Sequence, residues 1–477
     1  MPRIVAEAAN RPALMIGIAT IAIGIPAFFV LPSIDDWNTS RPIFDFDTRL
    51  LLPGRLWRPF EKLLRWTVGL NTGMHPWLFH GIAVLGHAAG VILLYRILRS
   101  VSESAGPPLA GALFFALSPA TVAAVWSVDS AVQTCSTAFG LASLLLLLKY
   151  PHRRGVPAAM GCAVVATLWK ESGLAWFFAA PLFAAAVTEL DSSKSRVSFR
   201  KTLFTIGAGV CVIGLYFVCR AGLATVDGLG TETGRYAIQW ELAVWLKNAA
   251  LLAGVSSLQV DTVSLFGGGS RLVAFFTVIG GLPLGIWACV RVVRSLKNRR
   301  TWIAIAATAA VIAPHIVLKH VSEMYAHPVV PALVLTVVVA GENSPRSLRS
   351  AFPWFGLAML VGIGVSAHKW SAMAHSGKRA ETVAEAIVRH YGAPDVIPER
   401  VCTVAVRLNP KSGYSVFTAD PAGASNWGRS VWAMTEWRLP KDIVNIGSIQ
   451  DCPSSIRDVW QIDSTGTFTV AFTRHQQ

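Results

Sequence analysis

Long apolar runs fill the first 370 residues of the chain, and their spacing predicts a bundle of membrane-spanning helices. Several of the runs reach about 17 to 22 residues, which is enough for an α-helix to cross a hydrocarbon core of about 30 Å. Short polar or charged segments separate the runs. The predicted spans are 13–31, 77–98, 109–128, 131–148, 156–169, 173–187, 203–218, 272–290, 301–318, 328–340 and 352–367. They make eleven, which is an odd number.

The first run predicts the orientation of the chain. Arg3 and Arg11 precede this run, 13–31. The run is longer than the apolar core of about 7 to 15 residues in a cleaved signal peptide. We therefore expect an uncleaved signal anchor with a cytoplasmic N-terminus, because basic flanks stay on that side. The polar stretch 33–75 is then an exported loop. An odd number of spans places the tail after His368 on the same side.

The stretch 236–258 is apolar but carries Glu241 and Lys247 in its interior. If it crossed the membrane, the basic cluster at 291–300 would be exported, which the positive-inside rule disfavours. If it lies along the outer face as an amphipathic helix, every basic loop falls in the cytoplasm. The sequence therefore predicts an interfacial helix at about 236–258.

The last 110 residues follow a different pattern. Apolar residues recur at helical spacing over 376–391, whereas apolar and polar residues alternate over 401–406 and 465–472, as in β-strands. The chain thus divides into a transmembrane domain, 1–367, and a soluble domain, 368–477. The predicted fold class is an all-α polytopic membrane protein with a small C-terminal α+β domain outside the cytoplasm.

Composition narrows the class of protein. Of the 477 residues, 53% are hydrophobic and 14% are charged, whereas a soluble domain carries roughly 25% charged residues. This excludes a soluble enzyme, a disordered chain and a disulfide-dense secreted module. The net charge of +15 comes mostly from the predicted cytoplasmic loops and so does not indicate nucleic-acid binding. Cys402 and Cys452 in the tail could pair only in an oxidising compartment.

Charged residues after the first span are the first candidates for chemistry. Asp35 and Asp36 are adjacent at the membrane edge, where mutual repulsion and a low dielectric favour retaining a proton on one of them, so one is a candidate general base. Solvated loop acids or a helix N-cap would show the same pattern. Arg58 lies in an arginine-rich part of the exported loop, which suits an anionic headgroup through a specific contact or through general attraction.

Further candidates lie within or between later spans. His80 and His87 are on one face of the second span, where a histidine is either functional or hydrogen-bonded in its neutral form between helices. Lys170 and Glu171 separate two apolar runs, and Glu323 separates two others, so all three are predicted at the outer surface with the first-loop acids. The adjacent Lys–Glu pair could hold a phosphate or form only an ion pair at the interface.

These positions resemble motifs of the multispanning glycosyltransferases with the GT-C fold, which use a polyprenyl-phosphate sugar as donor. The likeness is closest to the protein O-mannosyltransferase-like branch and is strongest over residues 14 to 190. Ala83, Trp169 and Met324 stand where relatives often have asparagine, serine and arginine. The matching segments are Asp35-Asp36, Trp57-Arg58-Pro59-Phe60, Phe79-His80 with His87, Leu113 to Pro119, Trp169-Lys170-Glu171-Ser172 and Glu323-Met324-Tyr325.

The resemblance implies transfer of a hexosyl or pentosyl group from a polyprenyl-phosphate donor to an acceptor hydroxyl outside the cytoplasm, on an envelope glycan, a lipid or a protein. Asp35 would be the general base, and Asp36 would orient the base or the acceptor. The donor needs no nucleotide pocket, because its leaving group is anchored in the bilayer. The residues implied in substrate binding are Arg58, His80, His87, Lys170, Glu171 and Glu323.

The implied partners are the lipid-linked donor, a cell-envelope acceptor and membrane lipids, without nucleic acid. The resemblance implies the lipid-linked donor and specifies no further cofactor, and participation of a divalent metal is left open. The expected location is a bacterial inner membrane, with a periplasmic C-terminal domain. The alternatives are a non-catalytic transporter or flippase of lipid-linked sugars, although transporters usually show internal repeats, and a structural membrane protein whose tail binds envelope polymers.

Overall fold

The computed structural model describes most of the chain as a helical bundle followed by a small sheet. Asp35 and Asp36 lie outside the described residues, as does most of the first exported loop. The described residues are 3–30, 51–52, 57–72, 76–102, 104–127, 131–150, 155–188, 195–223, 238–266, 271–319, 321–341, 351–393, 396, 398–405, 442–462 and 467–472.

Helices make up nearly all of the described part of the bundle. They are α1 (Arg3–Gly24), α2 (Pro59–Thr72), α3 (Pro76–Val101), α4 (Gly106–Leu117), α5 (Val122–Trp126), α6 (Ala131–Lys149), α7 (Gly155–Trp169), α8 (Trp176–Thr188), α9 (Ser195–Leu223), α10 (Leu242–Leu258), α11 (Thr262–Phe266), α12 (Arg271–Arg294), α13 (Arg299–Ile316), α14 (Ala326–Gly341) and α15 (Phe352–Tyr391). Short 3₁₀ turns lie at Ile25–Phe29, Pro119–Thr121, Glu171–Ala175 and Glu323–Tyr325.

Every predicted span coincides with a helix, but the number of spans is not confirmed. Within the described residues, seven helices are long and apolar enough to cross a membrane, or eight if the bent pair α4 and α5 is one span. The helix α7, which matches the run 156–169, has only 15 residues. Helices are expected here because a backbone in lipid must satisfy its hydrogen bonds within its own segment.

The predicted span 109–128 is broken in its middle. The axes of α4 and α5 differ by 47°, and Ser118 between them has an extended backbone, with φ −64° and ψ 124°. Pro119 follows, and a proline lacks the N–H that would continue the helix. The break therefore leaves backbone carbonyls free to accept hydrogen bonds from other elements.

The helix α10 occupies the predicted interfacial stretch. Ile238, just before it, pairs with Leu318, and Thr262, just after it, contacts Glu323. Both flanks thus meet the short segment 318–323, which spans at most about 18 Å when fully extended. This favours a helix whose two ends lie on one side of the bundle, although its position relative to the bilayer stays a prediction.

The core of the bundle is apolar and closely packed, and it lies among α3, α4, α6, α8 and α14. Large side chains on the outer surface are also apolar, for example Met15 and Leu360, which are 70% and 71% exposed. Apolar surface on both sides of the helices is expected when lipid surrounds the bundle. The largest buried core residues include Leu94, Phe115, Leu141, Trp176 and Phe183.

The last helix of the bundle is also the first element of the tail. The predicted boundary at 367/368 falls inside α15, which runs without interruption for 40 residues. It ends at Gly392, whose φ of 69° is a left-handed conformation that glycine adopts without strain. The change from apolar to charged residues near 368 thus marks a change of surroundings and not a change of element.

A four-stranded sheet forms the described part of the soluble domain. Its strands are β1 (Arg400–Ala405), β2 (Asp442–Ile446), β3 (Asp458–Ile462) and β4 (Phe468–Phe472), in the order β2-β1-β3-β4. The strand β1 is parallel to β2 and β3, and β4 is antiparallel to β3. A disulfide joins Cys402 to Cys452 in the core of the sheet domain.

The sheet is attached to the end of α15 through Tyr391. The hydroxyl of Tyr391 donates a hydrogen bond of 2.9 Å to Asp458 and accepts one of 2.8 Å from the indole N–H of buried Trp460. Burial raises the pKa of Tyr391, so its hydroxyl keeps its proton and remains a donor.

Candidate functional site

A tight turn between α7 and α8 places Lys170 and Glu171 in different surroundings. Lys170 has an extended backbone, and the 3₁₀ turn begins at Glu171. Gly173 lies so close to the preceding helix that a Cβ there would approach the carbonyl carbon of Ala166 to 2.3 Å. Only glycine fits this contact, which folds the turn back onto α7. As a result, Lys170 points inward and is 6% exposed.

Glu171 is bound by Arg58, which comes from the loop that was predicted to be exported. The Arg58 Nε donates to Oε2 of Glu171 at 2.9 Å, although the two residues are 113 positions apart. The guanidinium also lies 3.7 Å from Glu61, one turn further along. The arginine fork therefore joins two carboxylates, a geometry that a lysine could not reproduce.

Aromatic contacts dock the start of α2 on the bundle beside this ion pair. Trp57 stacks on Tyr216 of α9, with ring centroids 5.3 Å apart. Phe60 lies 5.9 Å from Trp169, the last residue of α7. These contacts fix Arg58, which lies between the two aromatic residues in sequence.

Lys62 adds a third cation to this side of the site. Burial lowers the pKa of Lys62, and the charge of Arg58 lowers it further, whereas the carboxylates of Glu61 and Glu171 counteract the shift. Lys62 thus lies in the same group of charges as Arg58, Glu61 and Glu171.

Lys170 lies on an aromatic stack. Its Nζ is 5.0 Å from the centroid of the Tyr325 ring, which is a cation–π distance. The Tyr325 ring in turn stacks on His315 at 4.4 Å, with an interplanar angle of 16°. The charge of Lys170 also acts on His315 and His327. Lys170 therefore faces the 3₁₀ turn Glu323–Tyr325, which sequence reasoning placed at the same end of the bundle.

Glu323 is held by the protein at both carboxylate oxygens. Lys369 donates to Oε1, and the hydroxyl of Thr262 donates to Oε2. Lys369, which is fully buried, also donates at 2.9 Å to the Pro119 carbonyl at the break between α4 and α5. The role of Glu323 in substrate binding stays a prediction.

Asp261 forms a hydrogen bond with His368 next to Glu323. Its Oδ2 lies 2.7 Å from Nδ1 of His368, and its Oδ1 accepts from the backbone N–H of Val263 and Ser264 at the start of α11. Asp261, His368 and Lys369 were not predicted as site residues. The one signal for them is that each is an ionisable residue at the end of an apolar run, which also fits simple exposure at an interface.

The two predicted histidines of α3 have different partners. The Nε2 of His80 is 2.9 Å from the carbonyl of Val30, the last described residue before the segment of Asp35 and Asp36. His87 is hydrogen-bonded to His327 at 3.0 Å. Both histidines are buried, as expected for neutral rings bonded between helices.

A cavity of ≈ 420 Å³ lies between α1, the broken span and α15. His87, Ser118 and Trp370 are among the residues that line it. Trp370 lies at one side of the cavity, where its indole N–H donates to the carbonyl of Pro26. Its lining residues Ser118 and Thr121 flank Pro119, whose carbonyl accepts from Lys369.

Four of the predicted site residues come together at one end of the bundle: Arg58, Lys170, Glu171 and Glu323. The predicted base and its neighbour, Asp35 and Asp36, lie outside the described residues. Within the described residues there is no group of three or more histidine, cysteine, aspartate or glutamate side chains arranged to hold a metal.

The fold and the site define a polytopic helical membrane protein with a mixed-charge site at one end of its bundle and a small sheet domain after its last helix. No protein-family profile matches the chain, and no curated protein sequence matches it.

Several solved structures are similar. ArnT from Cupriavidus metallidurans bound to undecaprenyl phosphate shares 12% identity at a TM-score of 0.46, over 94% of this chain and 92% of ArnT. The oligosaccharyltransferase of Archaeoglobus fulgidus tethered with an acceptor peptide shares 12% identity at a TM-score of 0.46, over 91% of this chain and 64% of that one. The apo form of the same enzyme shares 12% identity at a TM-score of 0.45, over 97% of this chain and 75% of that one.

These proteins are glycosyltransferases of the GT-C fold, which is the fold that the sequence resemblance implied. At this identity and at TM-scores below 0.5, we draw neither family membership nor a reaction from the likeness.

Proposed function

We propose that this chain is a membrane glycosyltransferase that moves a sugar from a polyprenyl-phosphate donor to an extracytoplasmic acceptor hydroxyl. The observation that carries the proposal is that Arg58, from a distant segment, binds Glu171, the residue that follows the buried Lys170 in the chain. Phosphate is recognised by such pairs, since arginine offers a planar fork and lysine a point charge.

The reaction assigns a role to each part of the site. The acceptor oxygen attacks the anomeric carbon, the bond from that carbon to the phosphate oxygen breaks, and the polyprenyl phosphate leaves with the electron pair. Arg58 and Lys170 stabilise the charge that develops on the phosphate. Asp35 takes the acceptor proton, and Asp36 orients the base or the acceptor. Glu171 positions Arg58.

The proposed location is a bacterial inner membrane, with the N-terminus in the cytoplasm and the sheet domain in the periplasm. The disulfide between Cys402 and Cys452 supports this side for the tail, because disulfides persist in oxidising compartments. The basic loops then lie in the cytoplasm, in agreement with the positive-inside rule.

The test uses purified protein, polyprenyl-phosphate hexoses and pentoses labelled in the sugar, and an envelope extract as acceptor. We expect label to move to the extract, and Asp35→Asn to abolish transfer without loss of folded protein, because the amide cannot accept the proton. Asp191→Asn, in a predicted cytoplasmic loop, is the matched control and should keep full activity.

Full activity in Asp35→Asn would remove the proposed base. Movement of the lipid-linked sugars across proteoliposome bilayers with no release of sugar from any donor would overturn the transferase proposal and favour a flippase.

A further inference from the structure

The last helix of the bundle, α15, brings a buried lysine, Lys369, to the site. The proposed reaction has no use for this lysine. Lys369 is fully buried, and its ammonium contacts Glu323 and the Pro119 carbonyl. A buried charge is retained only when it is paired and hydrogen-bonded, since its desolvation is costly. Lys369 therefore has a role at this position that a neutral residue would not fill.

We infer that Lys369 is a positioning residue: it fixes Glu323 and, through the turn Glu323–Tyr325, the aromatic ring on which Lys170 lies. This inference deepens the proposed function. Only the expected loss of kcat rests on that function. The placement of Lys170 can be measured without any transfer reaction.

The first step is the state of Glu323. One of its oxygens accepts from Lys369 and the other from Thr262, and its side chain is 10% exposed. A carboxylate that presents itself to a substrate would leave an oxygen directed to the open site. Glu323 instead joins three elements: α15 through Lys369, α11 through Thr262, and the 3₁₀ turn in which it lies.

The second step is the shortness of that turn. It contains only three residues, Glu323–Tyr325, and the N–H of Tyr325 donates to the carbonyl of Ser322 at 3.0 Å. Tyr325 is 6% exposed, so its ring has little space for rearrangement. A displacement of Glu323 is therefore passed directly to the Tyr325 ring, and from there to Lys170.

The first experiment measures the exposure of Lys170. Intact protein is treated with a membrane-impermeant amine-reactive ester, and modification of Lys170 is read by peptide mass spectrometry. We expect low modification in the wild type, a several-fold increase in Lys369→Met, and near wild-type modification in Lys369→Arg, which keeps a cation for Glu323. Lys247→Met, at an exposed position of α10, is the control and should change nothing.

Thr262→Val removes only a hydroxyl from Glu323 and covers the case in which Lys369→Met does not fold. It should raise modification of Lys170 by less than Lys369→Met does. Wild-type modification of Lys170 in both Lys369→Met and Thr262→Val would overturn the inference, whether or not transfer has been detected.

The second experiment uses transfer kinetics and separates positioning from substrate contact. A misplaced catalytic group can cost about 100-fold in rate, and we expect a loss of kcat of that order in Lys369→Met. The double variant Lys369→Met with Glu323→Gln should be no slower than the slower single variant, because both changes break the same contact between Lys369 and Glu323. If the two losses multiply, Glu323 contacts substrate independently of Lys369, and the inference is wrong.

If the wild type shows no transfer with any donor, the proposed function fails, while the labelling result still decides the role of Lys369.

Discussion

At the scale of single residues, the site is built from charges that hold each other in place. Arg58 joins Glu171 and Glu61, while Lys369 joins Glu323 to the Pro119 carbonyl. Pairs of this kind contribute little when exposed but are costly to break when buried, because the remaining partner is left uncompensated. The side chains of Arg58 and Glu171 are 13% and 21% exposed, so we expect this ion pair to be costly to break, as a buried pair is.

Arg58→Met should therefore lower the stability of the folded protein. Loss of a hydrogen bond to a charged group costs about 1–3 kcal/mol, and Glu171 would lose the donor to its Oε2. Arg58→Lys should lose less, since it keeps the charge but not the fork. Thermal unfolding in detergent, followed by tryptophan fluorescence, measures both.

The matched control is Arg294→Met, because Arg294 is exposed at the end of α12. If Arg58→Met lowers the Tm no further than Arg294→Met does, the ion pair with Glu171 is not a stabilising contact.

At the scale of elements, the informative features are interruptions in helices. The 3₁₀ turns at 119–121, 171–175 and 323–325 contribute Pro119, Glu171 and Glu323 to the site. Each turn aims side chains or carbonyls in directions that a continued helix would not allow. A helix terminus also leaves backbone groups unpaired, and Lys369 makes use of one such carbonyl.

Gly173→Ala tests how closely the turn of Lys170 is packed. The added Cβ would lie 2.3 Å from backbone atoms of α7, and overpacking of this kind costs about 1–3 kcal/mol. We expect a lower Tm and increased amine modification of Lys170. Gly161→Ala, within α7 and with open space around its Cβ, is the control.

Gly161→Ala should be neutral or slightly stabilising, since alanine favours helix over glycine. Equal stability of the two variants would mean that the turn has room to move.

The sequence predicted the helices well and their contacts poorly. Each apolar run overlaps a helix, because a backbone in lipid must satisfy its hydrogen bonds within its own segment. Lys170, Glu171 and Arg58 were predicted as site residues because charges near apolar runs stand out, and this role stays a prediction. The break at Pro119 and the continuity of α15 through residue 368 were missed. Hydropathy indicates the surroundings of a segment, whereas the contacts of Lys369 depend on residues 46 and 250 positions away.

At the scale of the whole molecule, the bundle and the sheet domain are joined by α15, which carries Lys369 in its middle and Tyr391 at its end. The sheet domain has its own core around a disulfide. The two parts therefore have different sources of stability, lipid and helix packing for one and a covalent cross-link for the other.

Removal of that cross-link should affect the sheet domain selectively. The double variant Cys402→Ser with Cys452→Ser opens a loop of 50 residues, and loss of a native disulfide costs about 2–5 kcal/mol. We expect faster proteolysis of the tail with an unchanged bundle. Cys211→Ser, an exposed free cysteine, is the control, and equal proteolysis rates in the two variants would contradict the expectation.

The length of α15 sets a clearance at the membrane surface. From Lys369 to Tyr391 the helix rises about 33 Å at 1.5 Å per residue, and a continuous helix does not shorten. The sheet domain is thus carried on a spacer of fixed length above the end of the bundle where Glu323 and Lys369 meet. For the transfer proposed above, this fixed spacing would limit the size of an acceptor that enters between the sheet domain and this end of the bundle.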